Sequence, residues 1–271
     1  MQPYEFATAS QIGRRHREAS RNNQDALLVR LPRSAVEPTV AVVSDGCGST
    51  PHSELGAFLL VRLFADLIAR DNGSIHRLEQ RLAEIATQLK LLARQLSGQD
   101  ELVLASMLAT LVAAVIGPDN AHFIVVGDGV VTINGETRMF TDGDGTPPYL
   151  GYAALEDQNL YRPIEALPIN TITLPRADLT DFVIASDGLG DLIDHQDSLL
   201  PGSSQETVGK LDKLWTSDSF FTNPDALRRY LARVNRDVSK FDRASGELTH
   251  YRGLLDDDTT VIVGRRLKME G

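Results

Sequence analysis

Residues 39–48 read Thr-Val-Ala-Val-Val-Ser-Asp-Gly-Cys-Gly, an apolar run that ends in an aspartate and a glycine. A short run rich in valine and bounded by such residues predicts a buried strand. Similar clusters recur at three further places: Asp128-Gly129 after the run 123–126, Asp187-Gly188 after 182–185, and Asp256-Asp257-Asp258 just before 259–263. Aspartates therefore stand at the ends of several predicted buried strands.

A carboxylate at the end of a buried strand is held rigidly, and a glycine beside it lets the backbone turn sharply. If these strand ends converge, their carboxylates form an anionic pocket of hard oxygen ligands, which suits Mg²⁺ or Mn²⁺ and not zinc. For any single Asp-Gly pair, an ordinary turn is the simpler explanation. Three such pairs, each after an apolar run, favour the metal pocket.

The composition describes an ordinary globular protein with an acidic charge. Its 271 residues are 42% hydrophobic and 24% charged, and a chain of this length can bury a large core. The formal net charge of −10 argues against a nucleic-acid partner, because phosphate binding needs a basic face. No linker or repeat divides the chain, so we expect a single domain over 1–271.

The features that decide cellular location are few. The single cysteine, Cys47, excludes an intramolecular disulfide and a zinc cluster built of thiolates. The start of the chain lacks the basic and apolar regions of a signal peptide, and no apolar stretch approaches the ~20 residues that span a bilayer. We therefore expect a cytoplasmic protein with no membrane partner. A monomer is the default expectation, since the sequence leaves the oligomeric state open.

The hydrophobic pattern predicts strands, then two long helices, then further strands. Apolar residues recur at helical spacing over 52–69 and 75–96. Pro224 predicts the start of a helix over 224–238, whereas the polar stretch 142–168 predicts an irregular flap lobe. The predicted strands are 26–31, 39–44, 107–116, 122–126, a hairpin over 130–139 that turns at Asn134-Gly135, 171–174, 181–185 and 259–264. This order predicts an α+β fold in which helix pairs cover sheets.

Six short motifs follow one another along the chain. They are Asn23-Gln24-Asp25-Ala26, then Val43-Ser44-Asp45-Gly46-Cys47-Gly48-Ser49 with Ser53-Glu54-Leu55-Gly56-Ala57, Leu108-Ala109-Thr110-Leu111, Val126-Gly127-Asp128-Gly129, Ala185-Ser186-Asp187-Gly188-Leu189-Gly190-Asp191, and Asp257-Asp258-Thr259-Thr260-Val261. In this order they resemble the metal-dependent serine/threonine protein phosphatases of type 2C, the PPM family, and especially its bacterial branch. The resemblance covers nearly the whole chain, from about residue 10 to 265.

The resemblance implies a four-layer αββα sandwich, in which two antiparallel sheets carry a helix pair on each outer face. It also implies two Mn²⁺ or Mg²⁺ ions, with Asp45 bridging them. The implied ligands are Asp25, Asp45, the carbonyl of Gly46, Asp187 and Asp257. Asp128 and Asp191 stand where many bacterial members hold a third, weaker metal. Asp258 stands where the family often has asparagine, so we expect it to support the ligands, and Asp256 is expected to be solvated.

The reaction implied by the resemblance is hydrolysis of phosphoserine and phosphothreonine on proteins, in bacterial signalling. A hydroxide that bridges the two metal ions attacks the phosphorus, and the metals neutralise the charge that develops on the phosphoryl oxygens. Phosphorylated proteins are then the expected partners. The mechanism needs no protein nucleophile, and the sequence shows no convincing Ser-His-Asp or Cys-Arg constellation.

At two positions the chain departs from the family pattern. Gln24 replaces a common glutamate; it can still orient a water molecule, but it contributes no charge. Ser20 stands where the family has a phosphate-binding arginine, five residues before the first aspartate. The basic candidates for phosphate binding or for a general acid are therefore His16, Arg17 and Arg21. Histidine suits acid catalysis because it titrates near neutrality, although a histidine on a surface loop is as often simply solvated.

Two alternatives stay open. The first is a catalytically silent relative that binds phosphoproteins or a regulator; Ser20 and Gln24 allow it, whereas the complete set of aspartates argues against it. The second is a phosphatase of a small phosphometabolite, in which 142–168 would close as a lid over a compact pocket.

Overall fold

The computed structural model describes residues 3–96, 98–141, 147–243 and 245–267. The strands in this part of the chain are β1 (Tyr4–Gln11), β2 (Ala26–Arg30), β3 (Thr39–Ser44), β4 (Leu111–Ile116), β5 (Asn120–Val126), β6 (Gly129–Ile133), β7 (Glu136–Phe140), β8 (Ile169–Pro175), β9 (Asp181–Ala185), β10 (Val238–Phe241), β11 (Leu248–Tyr251) and β12 (Thr259–Arg266). The helices are α1 (Arg14–Glu18), α2 (Glu54–Arg70), α3 (Leu78–Gln95), α4 (Gln99–Ser106), α5 (Leu189–Asp194), α6 (Lys213–Thr216), α7 (Asp218–Thr222) and α8 (Ala226–Val234).

Two large antiparallel sheets form the centre of the described structure. The first has five strands in the order β1-β12-β9-β6-β7, and the second has five in the order β2-β3-β4-β5-β8. Strands β10 and β11 form a separate hairpin between α8 and β12. The interior positions of both large sheets are occupied by predicted strands, whereas β2, β7 and β8, which were also predicted, lie at sheet edges.

Residues alternate between two cores along the central strands. In β3, Ala41 and Val43 face the core between the sheets, whereas Val40 and Val42 face the helices. A strand buried on both faces explains why its sequence is an unbroken apolar run. Between the sheets, the rings of Phe123 and Phe182 meet edge to face with centroids 5.5 Å apart.

Helices cover both outer faces of this sandwich. Apolar side chains of α2 and α3 pack on the second sheet, and those of α8 pack on the first. The order helix, sheet, sheet, helix confirms the αββα sandwich and the α+β class. No helix in the described ranges is long and apolar enough to cross a membrane.

Several predicted boundaries are wrong. The predicted strand 107–116 begins only at Leu111, because α4 ends at Ser106 and residues 107–110 connect it to β4 with only an isolated bridge between Ala109 and Gly46. The predicted helix 224–238 is shorter: Asp225 precedes its first residue and Val238 already belongs to β10. Strand β1 was not predicted, because its fully buried side chains are only Ala7 and Ala9 and they leave a weak apolar pattern.

Of the two loops that the sequence predicts, one is confirmed and the other is only partly described. The hairpin at Asn134-Gly135 is confirmed, with φ of 50° and 84° at the two turn residues, as a type I′ turn requires. Of the predicted flap 142–168, residues 142–146 lie outside the described part. The remainder makes two 3₁₀ turns, Leu150–Ala154 and Ile164–Ala166, which pack against α3. The role of this stretch as a flap stays a prediction.

Candidate metal centre

The predicted carboxylates meet because neighbouring strands run in opposite directions. Ala26 at the start of β2 pairs with Ser44 at the end of β3, and Val261 near the start of β12 pairs with Ala185 at the end of β9. The residues just outside these strand ends therefore lie at one end of the sandwich. These residues are Asp25, Asp45, Asp187 and Asp257.

Asp45 lies between two of these carboxylates. Its side chain is within hydrogen-bonding reach of both Asp25 and Asp187. Burial, and then the charge of Asp258, raise the pKa of Asp25 to about 7. Burial, and then the charges of Asp25 and Asp187, raise the pKa of Asp45 well above its usual value. Burial also raises the pKa of Asp187, so none of the three side chains gains a compensating positive charge from the described residues.

Several buried oxygens at this centre have no hydrogen-bond partner among the described residues. They are Oδ1 of Asp25, Oδ1 of Asp187 and Oε1 of Gln24. The described ion pairs nearby are made by Asp256 and Asp258, and none is made by Asp25, Asp45 or Asp187. Buried polar atoms are normally paired. The donor set is therefore suited to hard divalent cations, which would use these oxygens.

Asp258 is engaged by donors of the protein itself. Its Oδ1 accepts the backbone N–H of Gly13 at 2.7 Å, and its Oδ2 accepts the N–H of Gln24 at 2.6 Å. Nδ1 of His16 lies 2.8 Å from the same Oδ2. Ligand atoms of His16, Asp257 and Asp258 lie within 4.8 Å of one another, which also suits a cation. Through these three contacts, Asp258 connects the amino-terminal segment to the residues just before β12.

The two aspartates expected at a third metal occupy different environments. Asp191, in α5, accepts the N–H groups of Asp256 at 2.6 Å and Asp257 at 3.3 Å. Burial raises the pKa of Asp191. Asp128 lies in the turn between β5 and β6, flanked by Gly127 and Gly129 with φ of 91° and 146°.

The three basic candidates for phosphate binding do not all lie at the same place in the structure. His16 is only 8% exposed, so it is not the solvated loop residue of the simpler interpretation. Its Nε2 lies 3.8 Å from the point at which a Cβ on Gly48 would stand. Arg21 donates to the Gly48 carbonyl, whereas Arg17 pairs with Asp237 at 3.2 Å. His16 and Arg21 therefore adjoin the loop after Asp45, and Arg17 is held elsewhere.

Asp256 is not simply solvated, contrary to expectation. It forms ion pairs with Arg14 and Arg15, and these pairs lower the pKa of its carboxyl although its partial burial opposes them. These contacts attach α1 to the segment before β12.

Two hydroxyl residues near the aspartates were not given a role from the sequence. The Ser186 hydroxyl donates to Asp25 Oδ2 at 2.7 Å and accepts the Thr260 N–H at 2.9 Å. The Thr110 hydroxyl accepts the N–H of Asp45 at 3.1 Å. Both lie inside motifs of the sequence, but only Ser186 is adjacent to a strand-end aspartate, Asp187, whereas Thr110 reaches Asp45 from 65 positions away.

Gly188 allows the loop after β9 to approach the segment before β12. A Cβ at this position would lie 2.1 Å from the carbonyl oxygen of Asp258. We expect Gly188→Ala to lower the free energy of unfolding by about 3 kcal/mol, because the backbone must shift. Urea unfolding measures this loss.

Gly117→Ala is the matched control for Gly188→Ala. A Cβ at Gly117 would meet its nearest atom, the Asn120 carbonyl oxygen, at 3.4 Å, so we expect a change below about 1 kcal/mol. Equal stability of the two variants would contradict the close approach at Gly188.

A comparison of sequences relates this chain to a known family. Residues 12–213 match the sequence model of a family described as protein phosphatase 2C. No curated protein matches the chain in sequence.

Solved structures of bacterial phosphatases share the fold. The serine/threonine phosphatase PstP/Ppp of Mycobacterium tuberculosis is 15% identical, with a TM-score of 0.57 over 98% of this chain and 99% of that chain. PppA, a regulatory component of T6SS in Pseudomonas aeruginosa, is 19% identical, with a TM-score of 0.56 over 97% and 98%. Stp1 of Staphylococcus aureus is 15% identical, with a TM-score of 0.53 over 100% and 96%. Another structure of the PstP catalytic domain contains 2 manganese ions.

Proposed function

Because the chain belongs to the protein phosphatase 2C family, we propose that it is a metal-dependent phosphatase that hydrolyses phosphoserine and phosphothreonine on proteins. The observation that carries this proposal is the half-buried Asp45 carboxylate between Asp25 and Asp187, both of which keep a buried oxygen with no described partner. Mutual repulsion and burial make such a cluster unfavourable by itself. Positive charge from divalent cations would compensate it.

The residues that would hold these cations are oxygen donors throughout. For two ions of Mn²⁺ or Mg²⁺ they are Asp25, Asp45, the Gly46 carbonyl, Asp187 and Asp257, and for a third ion they are Asp128 and Asp191. When bound, such ions acidify water and neutralise charge on phosphoryl oxygens. The PstP structure with 2 manganese ions supports manganese for this chain.

The chain's own side chains hold the carboxylates in place. Ser186 orients Asp25 through its hydroxyl, and Thr110 binds the backbone of Asp45 on both sides, since its own N–H donates to the Asp45 carbonyl at 2.8 Å. The Gln24 side chain donates from Nε2 to the Thr50 carbonyl at 2.9 Å. Its Oε1 is left unpartnered among the described residues and would accept a hydrogen bond from a water molecule at the centre.

His16 and Arg21 would act on the phosphate side of this centre. The carboxylate of Asp258 accepts two backbone N–H groups, so the hydrogen on the His16 Nδ1 points at it. The other ring nitrogen then faces the loop at Gly48, where it can exchange a proton with a leaving group. Arg21, on the carbonyl of Gly48, supplies positive charge at the same loop.

We expect His16→Gln to lower kcat by about a hundredfold, which is the scale of general acid catalysis. Arg17→Ala should lower it less than about threefold, because Arg17 pairs with Asp237 on the surface. Steady-state hydrolysis of an aryl phosphate at saturating Mn²⁺ measures both. A larger loss in Arg17→Ala than in His16→Gln would contradict these roles.

The proposed function is tested by turnover of a phosphothreonine peptide with Mn²⁺, compared with turnover of small phosphometabolites. We expect kcat/KM to be higher for the peptide. Higher kcat/KM for a phosphometabolite would favour the small-molecule phosphatase, and binding of the peptide without turnover would favour the silent relative. The cytoplasmic location, the monomeric state and the absence of nucleic-acid partners stay predictions.

A further inference from the structure

A groove opens beside the metal centre, between the start of β2 and the first half of α2. Its volume is about 470 Å³, within the range of sites that enclose ligand groups. Asp25 and Leu27 line the β2 side of it, and Glu54, Leu55, Phe58 and Arg62 line the α2 side. The groove is therefore continuous with the carboxylates that would hold the metal ions.

The α2 side of this groove presents large apolar side chains to solvent. Phe58 is 48% exposed and Leu55 is 37% exposed, and residues three apart lie on the same helix face. The opposite face of α2 already fills the core through Leu60 and Phe64. Packing against the sheet therefore does not account for Phe58 and Leu55. Apolar side chains that line a concave surface are typical of a contact site.

Polar groups at this groove also lack partners among the described residues. Glu54 Oε2 is buried without a hydrogen bond, while its Oε1 accepts from Asn22 at 2.9 Å. Arg62 lies over the ring of Phe58 at 4.2 Å and makes no ion pair with a described residue. The acceptor of Glu54 and the cation of Arg62 therefore flank the apolar surface. A polypeptide is complementary to such a surface, because it carries N–H donors and, when phosphorylated, negative charge.

Strand β2 adds a further feature that suits a polypeptide. It stands at the edge of its sheet and pairs only with β3 among the described strands. The outward N–H and C=O groups of an edge strand can pair with an extended peptide. The groove therefore combines an open strand edge with an apolar helix face.

We propose that this groove binds the part of a phosphoprotein substrate next to the phosphorylated residue and takes a bulky apolar side chain from it. The inference rests on the proposed phosphatase function and adds a sequence preference to it. From Glu54 to Arg62 the helix rises about 12 Å, which about four residues of extended chain span. The preferred apolar residue lies within that distance of the phosphorylated residue.

The test uses phosphothreonine peptides in which one leucine is moved through the four positions on each side of the phosphothreonine, in a background of glycine and serine. Hydrolysis of an aryl phosphate by the same enzyme runs beside it. We expect leucine in at least one position to raise kcat/KM by about tenfold over the peptide without leucine, the scale of discrimination by an apolar pocket.

For each enzyme variant we compare kcat/KM for the preferred leucine peptide with kcat/KM for the peptide without leucine. Phe58→Ser should reduce this ratio to about one. The control is Leu91→Ser, because Leu91 is a 50% exposed apolar residue of α3 outside the groove, and it should keep the wild-type ratio. Because each ratio compares two peptides within one variant, a general loss of activity does not affect it. Thermal unfolding confirms that both variants are folded.

Three results would overturn the inference. They are wild-type turnover of the peptides with no effect of leucine at any position, an effect of leucine that Phe58→Ser leaves unchanged, and a wild-type preference that Leu91→Ser abolishes as fully as Phe58→Ser. In each of these cases the phosphatase function still stands. No turnover of either the peptides or the aryl phosphate would instead overturn the proposed function, so the two failures are distinguishable.

Discussion

We expect Asp45→Asn to abolish metal-dependent hydrolysis and to leave the protein folded. Asp45 is the carboxylate that contacts both Asp25 and Asp187, so its loss removes the group that would join two metal ions. We expect aryl phosphate turnover at saturating Mn²⁺ to fall by about a thousandfold or more, because several kcal/mol of transition-state stabilisation depend on the ions. Asp257→Asn should also abolish turnover.

The same variant should be more stable than the wild type when no metal is present. Asparagine has nearly the shape of aspartate and removes one buried charge from a cluster of repelling charges. Thermal unfolding in a chelator measures this gain. Asp212→Asn is the control, since Asp212 is exposed and its substitution removes the same charge outside the centre. Full activity of Asp45→Asn would contradict the site assignment.

The second large effect is a loss of metal-free stability as pH rises. The pKa of Asp25 is about 7 in the folded protein, against 3.8 as the ordinary value. The folded state therefore holds a proton that the unfolded chain releases. This contribution is fully present below about pH 4 and is lost as pH rises through about 7, and the difference corresponds to about 4 kcal/mol.

The pKa values of Asp45 and Asp187 shift in the same direction, so their contributions add to that of Asp25. The lowered pKa values of Asp256 and Asp225 act in the opposite direction, but only near and below about pH 4. The window from pH 5 to pH 8 therefore reports mainly on the carboxylate cluster, with an opposing contribution from His122, whose pKa is lowered by burial.

Urea unfolding between pH 5 and pH 8, with a chelator and with Mn²⁺, measures this effect. We expect stability to decrease with pH in the chelator, and to be restored by Mn²⁺ at pH 8, because bound cations replace the protons. Asp25→Asn should flatten the decrease, because it removes the carboxyl group that takes up the proton. A metal-free stability that does not fall between pH 5 and pH 8 would contradict the buried cluster.

The central strands and the aspartates at their ends were predictable from sequence, because a strand buried on both faces is a continuous apolar run. Strand β1 was not, since its buried residues are alanines. The β10–β11 hairpin was missed for another reason: nearly all of its residues are exposed. Its sequence therefore carries no alternation of apolar and polar residues.

The environment of His16 also could not be predicted from the sequence. It depends on a contact with Asp258, which lies 242 positions away along the chain, and on α1 packing against the segment before β12. Local patterns cannot show such a contact. The hydroxyl of Ser186, by contrast, is adjacent in sequence to Asp187, although its partner Asp25 is 161 positions away.

Calorimetric titration of the metal-stripped protein with Mn²⁺, with aryl phosphate hydrolysis followed at each addition, tests most directly whether cations complete the cluster around Asp45. We expect at least two ions to bind per chain, turnover to rise with their binding, and both to be lost in Asp45→Asn. Turnover in the complete absence of metal, or Mn²⁺ binding that Asp45→Asn leaves unchanged, would contradict a metal-dependent phosphatase built on these carboxylates.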